Sequence, residues 1–320
     1  MTARRPLPRA LRDEPFAVRD AMTRGVDRHR LGRSDLTAPF RGVRTPAVSQ
    51  SGPGPRTVLE TLRAFQPLLA RDQAFSHTTA AMVWGIPLPR AFQGVEPIHV
   101  VTLRPDAAMR RRGVVGHRGA RSTPLERYRG VAVTDPVSTW MALGSLLDVD
   151  DLVIAADAVV GELRLARLEH LHGAVARAPG VRGVRNLRAA LVDARTGSRS
   201  PGETRLRLVL TRGGLPEPER NLDVVVAGRR IACVDLAYPA ARLAIEYDSD
   251  LHRTDPAAYR KDLTRSERLK DVGWWVIRAT AFDVGVGAPE FLARVRRLLR
   301  AGSGVGHRPQ PRPSEPPHPR

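Results

Sequence analysis

Two acids, Asp235 and Glu246, stand at equal distances from a predicted hairpin corner, and they are the residues best placed to do chemistry. Residues 230–252, RIACVDLAYPAARLAIEYDSDLH, read as two strands broken at Pro239-Ala240-Ala241-Arg242, because Pro cannot donate to a sheet ladder. If Tyr238 pairs with Leu243, then Asp235 and Glu246, each three residues further from the corner, face one another. Directly opposed residues have Cβ atoms roughly 4.5–5.5 Å apart, a separation at which like charges destabilise the sheet. A hard divalent cation such as Mg²⁺, bound by carboxylates, water and a phosphate, relieves that repulsion. Cys233, Ala237, Ala244 and Asp248 share the face by the two-residue period and, being mostly small, are expected to leave a shallow pit over the acids. The other reading is a slipped register with two solvated acids on an open sheet face.

The elements that must position this pair follow in order from residue 200. Ser200-Pro201-Gly202-Glu203 is an S-x-x-E capping box with Pro at the first helical position, and Leu206, Val209 and Leu210 form its buried stripe. LDVVV is a strand leading through AGRR into the hairpin. Asp255 and Pro256 start a helix stopped by Gly273, WWVIRAT is a strand, and PEFLARVRRLLR is a helix with Phe291, Val295, Leu298 and Leu299 inward. The order is helix, three strands, helix, strand, helix. Residues 301–320 are rich in Pro, Gly, Arg and His and are expected to be disordered.

The front of the chain reads as smaller pieces. Residues 1–14 are an Arg- and Pro-rich mobile arm. Within 15–48, AVRDAMTRG is a short helix closed by Gly25, Asp27 caps a second, and RGVRTP is a strand or wing. Arg24, Arg28, Arg30 and Arg33 cluster there, which suggests a small winged helix-turn-helix able to touch DNA. SQSGPGP is a linker. Residues 56–160 have the apolar content of an α+β domain. There Ser76 is a cap for HTTAAMVWG, Thr134 with Pro136 opens PVSTWMALGSLL, and Asp150 caps DLVIAADAVV. His77, His99 and His117 are scattered among apolar neighbours and read as separate structural histidines. His170 and His172, two apart, do not share a helix face. Residues 161–199 read as a basic helical bridge between domains, with Arg182, Arg185 and Arg188 available to DNA. The class expected for the whole is α/β (α+β).

Composition narrows the partners. Lys and Arg number 52 against 33 Asp and Glu, a net charge of +19. An excess of that size favours a polyanionic partner, nucleic acid before membrane. Nearly all of it is Arg; Lys occurs only at Lys261 and Lys270. The single Cys233 excludes an intramolecular disulfide and a Cys-based zinc site, and fits a reducing cytoplasm. The basic N-terminus has no apolar run behind it, and LVIAADAVV is too short to span a bilayer, so no membrane partner is expected.

The element order, with an acid on the second strand and another on the third, resembles the PD-(D/E)XK nuclease core. In finer detail, SPGE at 200–203, VDLAYP at 234–239, IEYD at 245–248, His252, DLTR at 262–265 and GWWVIR at 273–278 resemble the very-short-patch-repair-like endonuclease domains of actinobacterial proteins. PFAVRDAMTRGV, PFRGVRTP, SHTTAAMVWGIPLP and GVAVTDPVSTW are similar to AbiEi-type antitoxin proteins, in which a winged helix-turn-helix precedes an α/β domain. The resemblance implies a restriction-endonuclease-like αβββαβα core at 200–300 behind winged-helix-like and α+β domains. It also implies DNA as partner and Mg²⁺ or Mn²⁺ as cofactor, in a repair, phage-defence or stress setting.

Residue by residue, the resemblance implies that Asp235 and Glu246 hold the metal, with the Tyr247 carbonyl as a further oxygen ligand. Glu203 adds an outer carboxylate, unless its role is only that of a capping residue. His252 is the expected general base or acid. Asp262 and Arg265, three apart on one helix face, form a supporting pair, or else Arg265 or Lys261 points at phosphate. The sequence departs from the superfamily pattern at Asp248, which stands where Lys is usual, and from the finer pattern at Ser249 and Leu251. Beside the nuclease stands a second expectation: a DNA-binding regulator of antitoxin type, whose nuclease fold is only a scaffold.

Overall fold

The computed structural model describes residues 6–46, 57–104, 106–248 and 256–304, the last stretch with side chains from 264 to 302. The chain divides into two compact units, Met1–Thr196 and Gly197–Arg320. Helices and three sheets make a mixed α+β protein, in agreement with the expected class. No helix among the described residues is long and apolar enough to cross a membrane.

The first unit opens with a 3-10 turn (Arg9–Leu11) whose Leu11 is buried with Leu7, so this part of the expected mobile arm is packed; β1 (Phe16–Ala17), α1 (Val18–Thr23), α2 (Arg28–Leu31), β2 (Leu36–Thr37) and β3 (Val43–Pro46) follow. The three strands form an antiparallel sheet in the order β1-β3-β2. Asp27 caps α2 by accepting the Arg30 N–H at 2.7 Å, which satisfies one of the donors left free at a helix start. Leu7, Leu11, Phe16, Ala21, Val26, Leu31 and Leu36 close a small core of their own.

Further along come α3 (Val58–Phe65), β4 (Gln73–Phe75), α4 (His77–Trp84), β5 (Ile98–Thr102), β6 (Val114–Arg118), β7 (Leu125–Tyr128) and β8 (Val131–Thr134). The five strands lie in the order β6-β5-β4-β8-β7. Behind them are α5 (Pro136–Leu143), α6 (Val149–Val160), α7 (Leu168–Arg177) and α8 (Val184–Asp193). Two caps differ from expectation by one or two residues. Asp135, not Thr134, accepts the Val137 and Ser138 N–H groups, and Asp148, not Asp150, accepts that of Asp151. In each case the acid nearest the true first turn wins. The basic stretch read as a bridge is also corrected: α7 and α8 pack on α5 and α6 of the same unit. Leu171, Leu187 and Ala190 are fully buried there, and the Arg195 N–H donates to buried Asp157 at 2.7 Å.

The second unit contains α9 (Pro201–Arg212), β9 (Glu219–Val226), β10 (Arg229–Tyr238), β11 (Leu243–Tyr247), α10 (Pro256–Asp271), β12 (Trp275–Ala279) and α11 (Ala288–Gly304). Its sheet has the order β12-β11-β10-β9, with β11 and β12 parallel and the other pairs antiparallel. The parallel pair needs a long crossover, and α10 supplies it. On one face Leu206, Leu210, Leu236, Tyr238, Leu243, Ile245, Phe291 and Val295 form the core beneath α9 and α11. On the other, Ala232, Val234, Ala237, Ala244 and Leu269 pack beneath α10.

Candidate functional site

The hairpin forms in the register expected from its corner. Tyr238 pairs with Leu243, Ala237 with Ala244 and Leu236 with Ile245, and Arg242 turns the corner at a φ of +47°. One residue beyond the last of these pairs stand Asp235 and Glu246. Here the ladder gives way to side-chain chemistry: the Tyr247 N–H donates to the Asp235 carboxylate at 2.9 Å. The Tyr247 contact that is seen is therefore through its N–H, whereas the expected ligand was its carbonyl.

Asp235 also marks a change of phase in β10. Ala232 and Val234 lie on the α10 side, whereas Leu236 and Tyr238 lie on the α9 side. Opposite this change, between the pairs Val234↔Leu222 and Leu236↔Arg220, is Asn221 with a φ of +47°. The expected pit is not open. Ala237 and Ala244 are fully buried and packed against Leu269, because α10 covers that part of the sheet.

Glu203 arrives from the first turn of α9. Ser200 caps this helix by accepting the Glu203 N–H at 3.1 Å. The Glu203 carboxylate accepts the Arg199 N–H at 2.9 Å and the Asn221 amide at 3.2 Å. The capping box is thus shifted, with the acid reaching one residue before the cap. Gly202 is required here, since a Cβ on it would come within 2.1 Å of the Tyr247 ring. That ring fixes the start of α9 against the strand that bears Glu246.

Glu203 is 7% exposed and Glu246 4% exposed. Burial pushes both carboxyls above their ordinary value of 4.5, and Asp235 raises both further. The Arg199 N–H opposes the shift at Glu203. At Glu246 the opposition comes from Arg265, whose Nη2 lies 2.9 Å from Oε2; desolvation outweighs even this ion pair. The other carboxylate oxygen, Oε1, is buried with no hydrogen-bond partner among the described residues. An unpartnered buried acceptor is costly and calls for an explanation.

Arg265 thus crosses from α10 to Glu246, and its Nη1 lies 3.4 Å from the Cys233 carbonyl. It was expected to pair with Asp262 or to point at phosphate. Arg278 sits 3.9 Å from Asp248. His252 and the side chains of Lys261 and Asp262 lie outside the described residues. Among the front arginines, Arg24, Arg28 and Arg33 are exposed. Arg30 is corrected: it is 8% exposed and held by Asp35 through two bonds of 3.0 and 2.8 Å, so it is not a surface available to DNA.

The three acids do not close into one tight cage. Among the described residues, the trio of His, Cys, Asp and Glu groups whose ligand atoms come within 4.8 Å of one another is His77, His99 and His117. In the sequence these three read as separate structural histidines. Burial is the main cause that lowers the first to a pKa of about 2 and the third to about 4, and it lowers His99 as well. The missed signal is the β5–β6 register, which sets His117 opposite Val101, two residues along the same face from His99.

The raised carboxyls dictate a pH dependence. A carboxyl with a raised folded value binds its proton more tightly in the folded state than in the unfolded chain. Its contribution therefore falls as pH rises from 4.5 through the raised value. Thermal melts from pH 4.5 upward are expected to show a loss of stability that is smaller in Glu203→Gln/Glu246→Gln than in wild type. Identical pH profiles for the two proteins would contradict the burial argument.

No family model matches the chain, and no solved structure does. Two curated proteins of Mycobacterium tuberculosis do: Uncharacterized protein MT2308 of strain CDC 1551 / Oshkosh and Uncharacterized protein Rv2248 of strain ATCC 25618 / H37Rv. Each is 32% identical over 224 residues, covering 69% of this chain and 79% of the relative. With identity sustained over that share of both chains, this protein belongs to the same family as these two mycobacterial proteins.

Proposed function

We propose that this protein is a divalent-metal-dependent DNA endonuclease, with phosphodiester hydrolysis in the unit Gly197–Arg320. The observation that carries the reading is Glu246. It is a buried carboxylate with one oxygen unpartnered among the described residues, one step beyond the last pair of the hairpin ladder, and the charge of Asp235 on the neighbouring strand raises its pKa. The donor set is all carboxylate oxygen, which suits a hard cation, Mg²⁺ or Mn²⁺, rather than a soft one. Asp235 and Glu246 would hold it, and Glu203 adds negative charge behind Asp235.

When bound, such an ion neutralises a scissile phosphate and acidifies a water molecule. The chain's own residues do the positioning. The Tyr247 N–H fixes the Asp235 carboxylate, and Arg265 fixes one Glu246 oxygen while leaving the other. The net charge of +19 favours a polyanion such as DNA as substrate.

The test is relaxation of supercoiled plasmid by the full chain with Mg²⁺ or Mn²⁺, and its arrest by EDTA. Binding without cutting on duplex, mismatched and single-stranded DNA would sink the reading. It would leave the regulator of antitoxin type, which one observation favours: the Arg265 pair already neutralises Glu246 from within.

A further inference from the structure

We propose that His77, His99 and His117 form a site for a divalent transition metal of the zinc class in the first unit, separate from the carboxylates of the second. The three imidazoles come from three elements: the first residue of α4, the second of β5 and the fourth of β6. Their ligand nitrogens lie within 4.8 Å of one another. His99 Nδ1 is 2.9 Å from His117 Nε2, and the His77 ring stacks on His117 with centroids 3.5 Å apart. A tetrahedral zinc ion with Zn–N bonds of about 2.0–2.1 Å needs nitrogens roughly 3.3 Å apart. The cluster brackets that spacing.

The backbone around the cluster is shaped to hold it. His77 has a φ of +50°, in the left-handed region that non-glycine residues seldom occupy and that concentrates at functional sites. Ser76 stands at the N-cap of α4 but does not cap it. Its hydroxyl lies 3.0 Å from His77 Nδ1 instead, which leaves Nε2 as the ligand nitrogen. The Ser76 N–H donates to the His99 carbonyl at 3.0 Å, and the His99 N–H donates to the Thr79 hydroxyl at 2.9 Å. Strain and a forgone cap both cost stability, and both fix the same ring. Outer partners that orient ligating histidines are the usual companions of a metal site.

All-imidazole donors select zinc, cobalt, nickel or copper over Mg²⁺. Ser76, His77, Thr79 and His99 are buried, while His117 is half-exposed. One side of the site therefore reaches solvent, and three protein ligands leave a fourth position for water or a small anion.

The experiment uses the untagged full chain, stripped with chelator and titrated with Zn²⁺ against a chromophoric competitor. Co²⁺ is added in parallel for its tetrahedral visible absorption. One equivalent is expected to bind. His117→Gln and His99→Gln are expected to lose more than about 100-fold in affinity, beyond the ten- to hundred-fold that loss of an outer partner costs. Cys233→Ser is expected to bind as wild type does. His117, being half-exposed, is the variant least able to disturb folding, and far-UV circular dichroism checks it. Absence of stoichiometric metal, a Co²⁺ spectrum without tetrahedral bands, or equal Zn²⁺ affinity in wild type and a folded His117→Gln would each overturn the proposal and leave a hydrogen-bonded histidine stack.

Discussion

Asp235→Asn and Glu246→Gln are each expected to reduce metal-dependent DNA nicking on the order of 10³-fold, the equivalent of the several kcal/mol that a positioned metal supplies. Both substitutions keep the size of the side chain and remove only its charge. The fold should survive them. Glu246 is disfavoured as an anion in its buried place, so Glu246→Gln should melt no lower than wild type above pH 7. That combination, activity lost without stability lost, is what a functional carboxylate gives and a structural one does not. Equal nicking by wild type and either variant, measured on purified protein with Mg²⁺, would dissociate the acid pair from the activity.

The second large effect concerns affinity. Arg24→Ser/Arg28→Ser/Arg33→Ser should lower the slope of log K against log salt for duplex DNA by about 2.7, since each phosphate contact contributes roughly 0.9. Between 50 and 200 mM salt a slope difference of that size changes the loss of affinity by about 40-fold. Arg30 is the contrasting control. It sits in the same cluster in sequence, yet it is bound to Asp35, whose side chain keeps 29% exposure. Arg30→Ala is expected to cost about 2–3 kcal/mol in stability, below the roughly 3–5 of a fully buried pair, and to leave the salt slope unchanged. An unaltered slope in the triple variant would remove these arginines from any DNA contact.

Local chemistry makes much of the second unit legible in the sequence. Pro239 stops a ladder, Ser200 caps a helix and Gly273 ends another. Strand alternation then leaves one register in which Tyr238 meets Leu243, and that register holds as far as Leu236 and Ile245. The inward residues of α11, Phe291 and Val295, followed from helical spacing in the same way. Expectations that depended on a neighbour across the fold did not hold, and neither did those at two helix caps and at Arg30, where the deciding acid lies one to five residues away. The alanine pit closed because α10 folds over it, and Arg265 left its own helix face for a carboxylate nineteen positions earlier. Arg30 looked like a surface charge until the turn after α2 brought Asp35 beside it.

The amino-acid sequence by itself determined the mixed class, the basic charge and the hairpin register, because caps, turns and two-residue alternation act over a few residues. Only the tertiary structure decided that Glu246 is buried with one oxygen unpartnered among the described residues and that three histidines spread over forty residues share one spot. Burial and convergence depend on which elements pack together, and that is fixed by the sum of many weak contacts, none of which has a local signature in the sequence.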